Sequence, residues 1–119
     1  MHPSLTDPRP RRSDRLPRVP EDQLTEEQKA AVAEFEKHRL SVPFGPFVAL
    51  LRSPALLNRV RSLGDYLRYQ TCFPPHLSEF AILVVASHWK QSYEWGLHCP
   101  IALEAGVPPA HLDALASGR

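Results

Sequence analysis

Seven consecutive residues without a charge or a polar side chain, Phe80-Ala-Ile-Leu-Val-Val-Ala86, constrain this chain more than any other feature of it. A helix that is apolar on every side belongs inside a bundle rather than on its surface. The run is too short to span a bilayer, which takes roughly 20 such residues. Directly after Trp89-Lys90 the pattern changes, and Gln91, Glu94 and His98 recur at helical spacing on one stripe. A buried scaffold helix followed at once by a helix that presents a carboxylate and an imidazole on one face reads as scaffold plus site.

The rest of the chain is read as helical too, which makes the fold class all-α. With 119 residues there is room for one domain with a modest core. The formal net charge of +1 recommends neither nucleic acid nor an anionic membrane surface as a partner. The two cysteines, Cys72 and Cys99, have neither metal-ligand nor disulfide-framework spacing and fit a reducing compartment. The opening Met-His-Pro-Ser-Leu-Thr-Asp-Pro lacks the apolar core of a secretory signal, so the cytoplasm is the expected location. Residues 1–20 are rich in Pro and Arg and bury too little apolar surface to offset their ordering entropy, so they are expected to form a disordered arm ahead of a helical domain over residues 21–119.

Within that domain, Thr25-Glu-Glu-Gln28 is a capping box that starts a helix ending near Arg39-Leu40. Val42-Pro-Phe-Gly-Pro46 breaks it, and Phe47-Val-Ala-Leu-Leu51 forms a short apolar turn or helix. Ser53-Pro54 opens the next helix, with Leu56, Leu57, Val60, Leu63 and Leu67 on its inner face and Arg59, Arg61 and Arg68 directed outward. Pro75 opens the central helix. Pro100 is expected to kink or split the following one just after His98, and Gly106 to close it in left-handed geometry. A last helix begins at Pro108-Pro.

The segments Leu77-Ser-Glu-Phe-Ala-Ile-Leu-Val-Val-Ala86, Tyr93-Glu-Trp-Gly-Leu-His98 and Ala102-Leu-Glu-Ala-Gly106 resemble the carboxymuconolactone decarboxylase family. The upstream Gly45-Pro-Phe, Ser53-Pro-Ala and Gly64-Asp-Tyr-Leu-Arg68 are similar to its lead-in, so the resemblance runs from roughly Val42 to Gly118. It implies an AhpD-like helical bundle assembled as a homo-oligomer, a trimer or hexamer with sites near subunit boundaries. Members often continue with further helices, so the resemblance leaves the domain either short here or continued. In the family's peroxidase branch a helical Glu precedes a Cys-x-x-Cys-x-x-x-His motif; here that Glu falls on Glu79, the His on His98 and the two cysteine positions on Gln91 and Glu94. The redox pair is absent.

Read from the residues, Glu94 and His98 are either an exposed intrahelical pair or a positioned acid–base couple in which the carboxylate orients the ring. Glu79 is either a carboxylate favoured by a helix N-terminus or, as the resemblance implies, part of a proton relay. Gln91 is a surface amide or a donor to a substrate oxygen. Tyr93 and Trp95 are packing or subunit-contact residues that border the same substrate-binding region. His88 and His98 fall on different helices with no third ligand fixed by spacing, so no metal is expected. Cys99 follows His98 directly, about 100 degrees away around a helix, and reads as core. The functional expectation is a cofactor-free lyase acting on a small carboxylated lactone or keto acid, with His98, Glu94 and Glu79 as its catalytic residues. The alternatives are a thiol peroxidase of the AhpD kind and a non-catalytic oligomer that binds a ligand in the same pocket.

Overall fold

Prolines and capping side chains set most of the helix boundaries. The structure, a computed structural model, describes residues 15–118. Among these residues the regular secondary structure is entirely helical: a short 3-10 turn at Glu21–Gln23, then α1 (Glu26–Arg39), α2 (Pro46–Leu50), α3 (Pro54–Tyr69), α4 (Pro75–His88), α5 (Ser92–Glu104) and α6 (Pro109–Ala116). The fold class is therefore all-α. No helix among the described residues is long and apolar enough to cross a membrane. The described residues divide into two compact units, with the division between Arg59 and Val60 in the sequence of α3.

In the first unit the capping box is present as read: the Gln28 N–H donates to Thr25 Oγ1 at 3.2 Å, and the Thr25 N–H donates to Gln28 Oε1 at 3.0 Å. Its core is Ala31, Phe35, Leu51 and Leu57, with Phe44 and Phe47 set edge-on to Phe35 and to each other. Most of the Pro/Arg-rich arm lies outside the described residues. Its described end, residues 15–20, has no helix; Arg18 donates to the Pro43 carbonyl and Arg52 to the Pro17 carbonyl, each at 2.7 Å.

In the second unit α4 packs mainly on α5, and α6 also touches α4. Leu83, Ala102, Val107 and Leu112 form the core, lined by Phe80, Trp95, Cys99 and Leu115. Gly106, at φ 98°, ends α5: its N–H donates to the Leu103 carbonyl and the Val107 N–H to the Ala102 carbonyl. This is the pairing of a Schellman cap, and Val107 and Ala102 meet in the core as that cap favours. Pro100 does not split α5, which is one helix from Ser92 to Glu104. Pro100 sits on the exposed face, so the Gly96 carbonyl it leaves without a helical donor also lies on the exposed side and away from His98.

Within one chain the run 80–86 is not buried on every side: Leu83 and Ala86 are buried, whereas Val84 and Val85 are exposed, with Leu77 on the same stripe. In α3 Leu57 is buried and Arg59 exposed, as read, but the rest of the expected arrangement is corrected. Leu56, Val60, Leu63 and Leu67 are exposed, Leu63 at 59 %, while Arg61 is buried and bonded to Asp65 at 2.7 Å. Arg68 also lies on the buried stripe, and its side chain is only 18 % exposed. The physical reason is a stronger claim on that face: Arg61, Asp65 and Arg68, at helical spacing, have charged partners to meet, and a buried charge without one is far more costly than an exposed leucine.

The turn between α4 and α5 repeats the Schellman pairing, with Lys90 N–H to the Ser87 carbonyl and Gln91 N–H to the Ala86 carbonyl, but puts Lys90 at φ 53° where glycine is favoured. Lys90→Gly should therefore raise stability by about 0.5 kcal/mol, the relief of left-handed strain less glycine's greater freedom in the unfolded chain. Urea unfolding with an unchanged or lower midpoint would show that Lys90 carries no strain.

Candidate active site

Glu79 lies in the second turn of α4, on the buried face, with its side chain only 5 % exposed. A carboxylate so placed must have both oxygens satisfied. Arg68, at the end of α3, supplies one oxygen: Nε at 3.2 Å and a terminal guanidinium nitrogen at 3.0 Å both donate to Oε1. The Arg68 guanidinium also stacks over the Tyr69 ring, 4.9 Å from its centroid. His98 supplies the other oxygen, with Nδ1 2.6 Å from Oε2.

A carboxylate only accepts, so the hydrogen in that short bond belongs to Nδ1. The imidazole is thereby held in one orientation, and Nε2 is left as the nitrogen free for chemistry. The His98 side chain is 8 % exposed, and next to Nε2, at 3.5 Å, stands Oε2 of Glu94, whose side chain is 36 % exposed. In the order Arg68, Glu79, His98, Glu94 the two middle side chains are buried and Glu94 is the most exposed. An imidazole fixed through Nδ1 by a carboxylate, with Nε2 beside the more exposed Glu94, can accept and return a proton.

Of the six candidates read from the sequence, the structure brings together Glu79, His98 and Glu94. The close partner of the ring is Glu79, nineteen residues away, rather than Glu94 one turn away. Gln91 flanks the start of α5 and is exposed, as is Tyr93, and Trp95 packs against the α4–α6 core. Arg68 is the residue that sequence reasoning missed. One signal for it was present: a Glu set among apolar residues calls for a cation, and Arg61, Asp65 and Arg68 share a stripe apart from Leu56, Val60, Leu63 and Leu67.

Cys99 packs against the second core, where burial pushes its thiol above the ordinary value of 9.0 and the Asp113 carboxylate adds to the effect. Cys72 is exposed. Among the described residues there is no group of three or more His, Cys, Asp or Glu that could hold a metal ion. A cavity of about 380 Å³ lies in the first unit, lined by Arg15, Leu16, Gly45, Val48 and Ala49, and includes none of the candidate residues. Comparison of the chain with protein-family models, with curated proteins and with solved structures finds no match.

The thiols give a pH test. Because the fold penalises the Cys99 thiolate, that group's contribution to stability is full below the ordinary thiol value and is lost as pH rises through the raised one. Iodoacetamide at about pH 8 should modify Cys72 well before Cys99, and Cys99 should keep gaining reactivity past the pH at which a free thiol levels off. Faster labelling of Cys99 near neutrality would mean an activated thiolate.

Proposed function

We propose that this chain is a cofactor-independent acid–base lyase of the carboxymuconolactone decarboxylase kind, acting on a small carboxylated lactone or β-keto acid. The observation that carries this reading is the buried 2.6 Å contact between Glu79 and His98 Nδ1, with Arg68 behind the carboxylate. In such a substrate the bond to the carboxylate carbon breaks, carbon dioxide leaves, and the electron pair passes into the conjugated carbonyl as an enolate. His98 then delivers its Nε2 proton to carbon. Glu79 keeps the ring in register, and Glu94, half-exposed beside Nε2, passes a proton back from solvent.

Two observations favour this reading over a thiol peroxidase. Gln91 and Glu94 stand where that branch of the resembling family has its cysteines, and Cys99 is held toward its neutral thiol by burial. The free cysteines Cys72 and Cys99 support a reducing, cytoplasmic setting.

Self-association, as a trimer or hexamer in keeping with the resemblance, belongs to the same proposal. Leu56, Val60, Leu63 and Leu67 form an exposed stripe at the alternating three- and four-residue spacing of a helix-pairing seam, and α4 exposes Leu77, Val84 and Val85. Light scattering at low micromolar concentration should report a multimer, and Leu63→Lys should shift it toward monomer. A stable monomer before substitution would contradict the assembly.

Turnover is tested by carbon dioxide release from a panel of β-keto acids and carboxylated lactones. His98→Ala should reduce it about 10²- to 10⁴-fold with the helical circular dichroism unchanged, and Glu79→Gln should reduce it to a similar degree. Activity that survives His98→Ala contradicts the assignment. Ligand binding that depends on His98 without any turnover would replace the lyase with a binding protein.

A further inference from the structure

His98 has one nitrogen committed and one in waiting. Nδ1 bonds at 2.6 Å to a carboxylate that is itself buried and held by Arg68. Nε2 faces Glu94 Oε2 at 3.5 Å, beyond the roughly 2.7–2.9 Å of a formed charge-assisted bond. Glu94 makes no shorter polar contact among the described residues, and its half-exposed side chain, in the first turn of α5, can turn toward water. The other cation at the site, Arg68, donates from Nε and one terminal nitrogen to Glu79 Oε1. An anion that meets His98 at Nε2 finds a carboxylate already beside it.

We propose that Glu94 is an internal stand-in for a ligand's carboxylate, so that a small carboxylate binds at His98 Nε2 by displacing it. The inference rests on the reading of His98 as the working residue and adds to it where the ligand's carboxylate binds and the competition that governs its binding. Two carboxylates beside one imidazole repel each other, and the bound state is reached when Glu94 swings to solvent. Once the ligand's carboxylate has left as carbon dioxide, Glu94 returns to Nε2, which is the position it needs for restoring the proton.

The test is a titration of the full chain with sodium acetate against sodium chloride at constant ionic strength, at about pH 6. Backbone amide shifts of residues 93–101 report binding. Acetate should bind saturably and weakly, and about three- to ten-fold more tightly to Glu94→Gln, which keeps the shape but not the charge. Glu94→Ala should also bind more tightly, and His98→Ala should lose saturable binding. Affinity unchanged or weaker in both Glu94 variants overturns the proposal, as does saturable binding that survives His98→Ala or no saturable binding in any form. Loss of turnover in His98→Ala together with unaltered acetate affinity in both Glu94 variants would keep the catalytic reading and remove this one.

Discussion

The buried carboxylate of Glu79 is the interaction on which the rest of this structure depends. Removing a carboxylate from water is tolerable only if both oxygens find donors, and here they come from two directions: Arg68 from α3 and His98 from α5. That one side chain therefore ties three helices of the second unit together. Truncating either partner would leave one oxygen of that carboxylate without its donor, a loss of about 1–3 kcal/mol for a buried polar group. The same bond that stabilises the unit also fixes the imidazole, so scaffold and proposed chemistry share one contact.

Arg68 also explains the reversal of α3. A helix with leucines on one side and Arg61, Asp65 and Arg68 on the other is ordinarily read with the leucines inward. Once Glu79 is buried, the cation it requires must come from a neighbouring helix, and turning α3 to supply it turns Leu56, Val60, Leu63 and Leu67 outward. The exposed seam and the buried ion pair are two consequences of one rotation. They also make the proposed self-association a matter of packing: the apolar surface lost to the core on one side is offered to another chain on the other.

Local signals were legible in the sequence because they are decided locally. The capping box at Thr25, the prolines that open α3 and α4 and the left-handed Gly106 all sit where their own backbone requirements put them. Pro100 was read too strongly, since α5 keeps its other hydrogen bonds and loses only one, on the exposed side. The site was half legible. Glu94 and His98 could be paired from spacing alone, but the tighter bond from Glu79 needed the turn at Lys90 to fold α4 back against α5, and no local pattern states that distance. Arg68 was hidden for the same reason. Its place follows from a partner eleven residues on, in another helix.

Everything proposed for His98 requires that its hydrogen-bonded nitrogen be Nδ1 and its working nitrogen Nε2. Long-range proton–nitrogen NMR of the imidazole in its neutral form reads this assignment without reference to any substrate. The Arg68–Glu79–His98 chain predicts protonated Nδ1 with its hydrogen far downfield in a short bond, and an unprotonated Nε2. A neutral ring protonated at Nε2, or one that averages freely between the two forms as a mobile imidazole does, would contradict it.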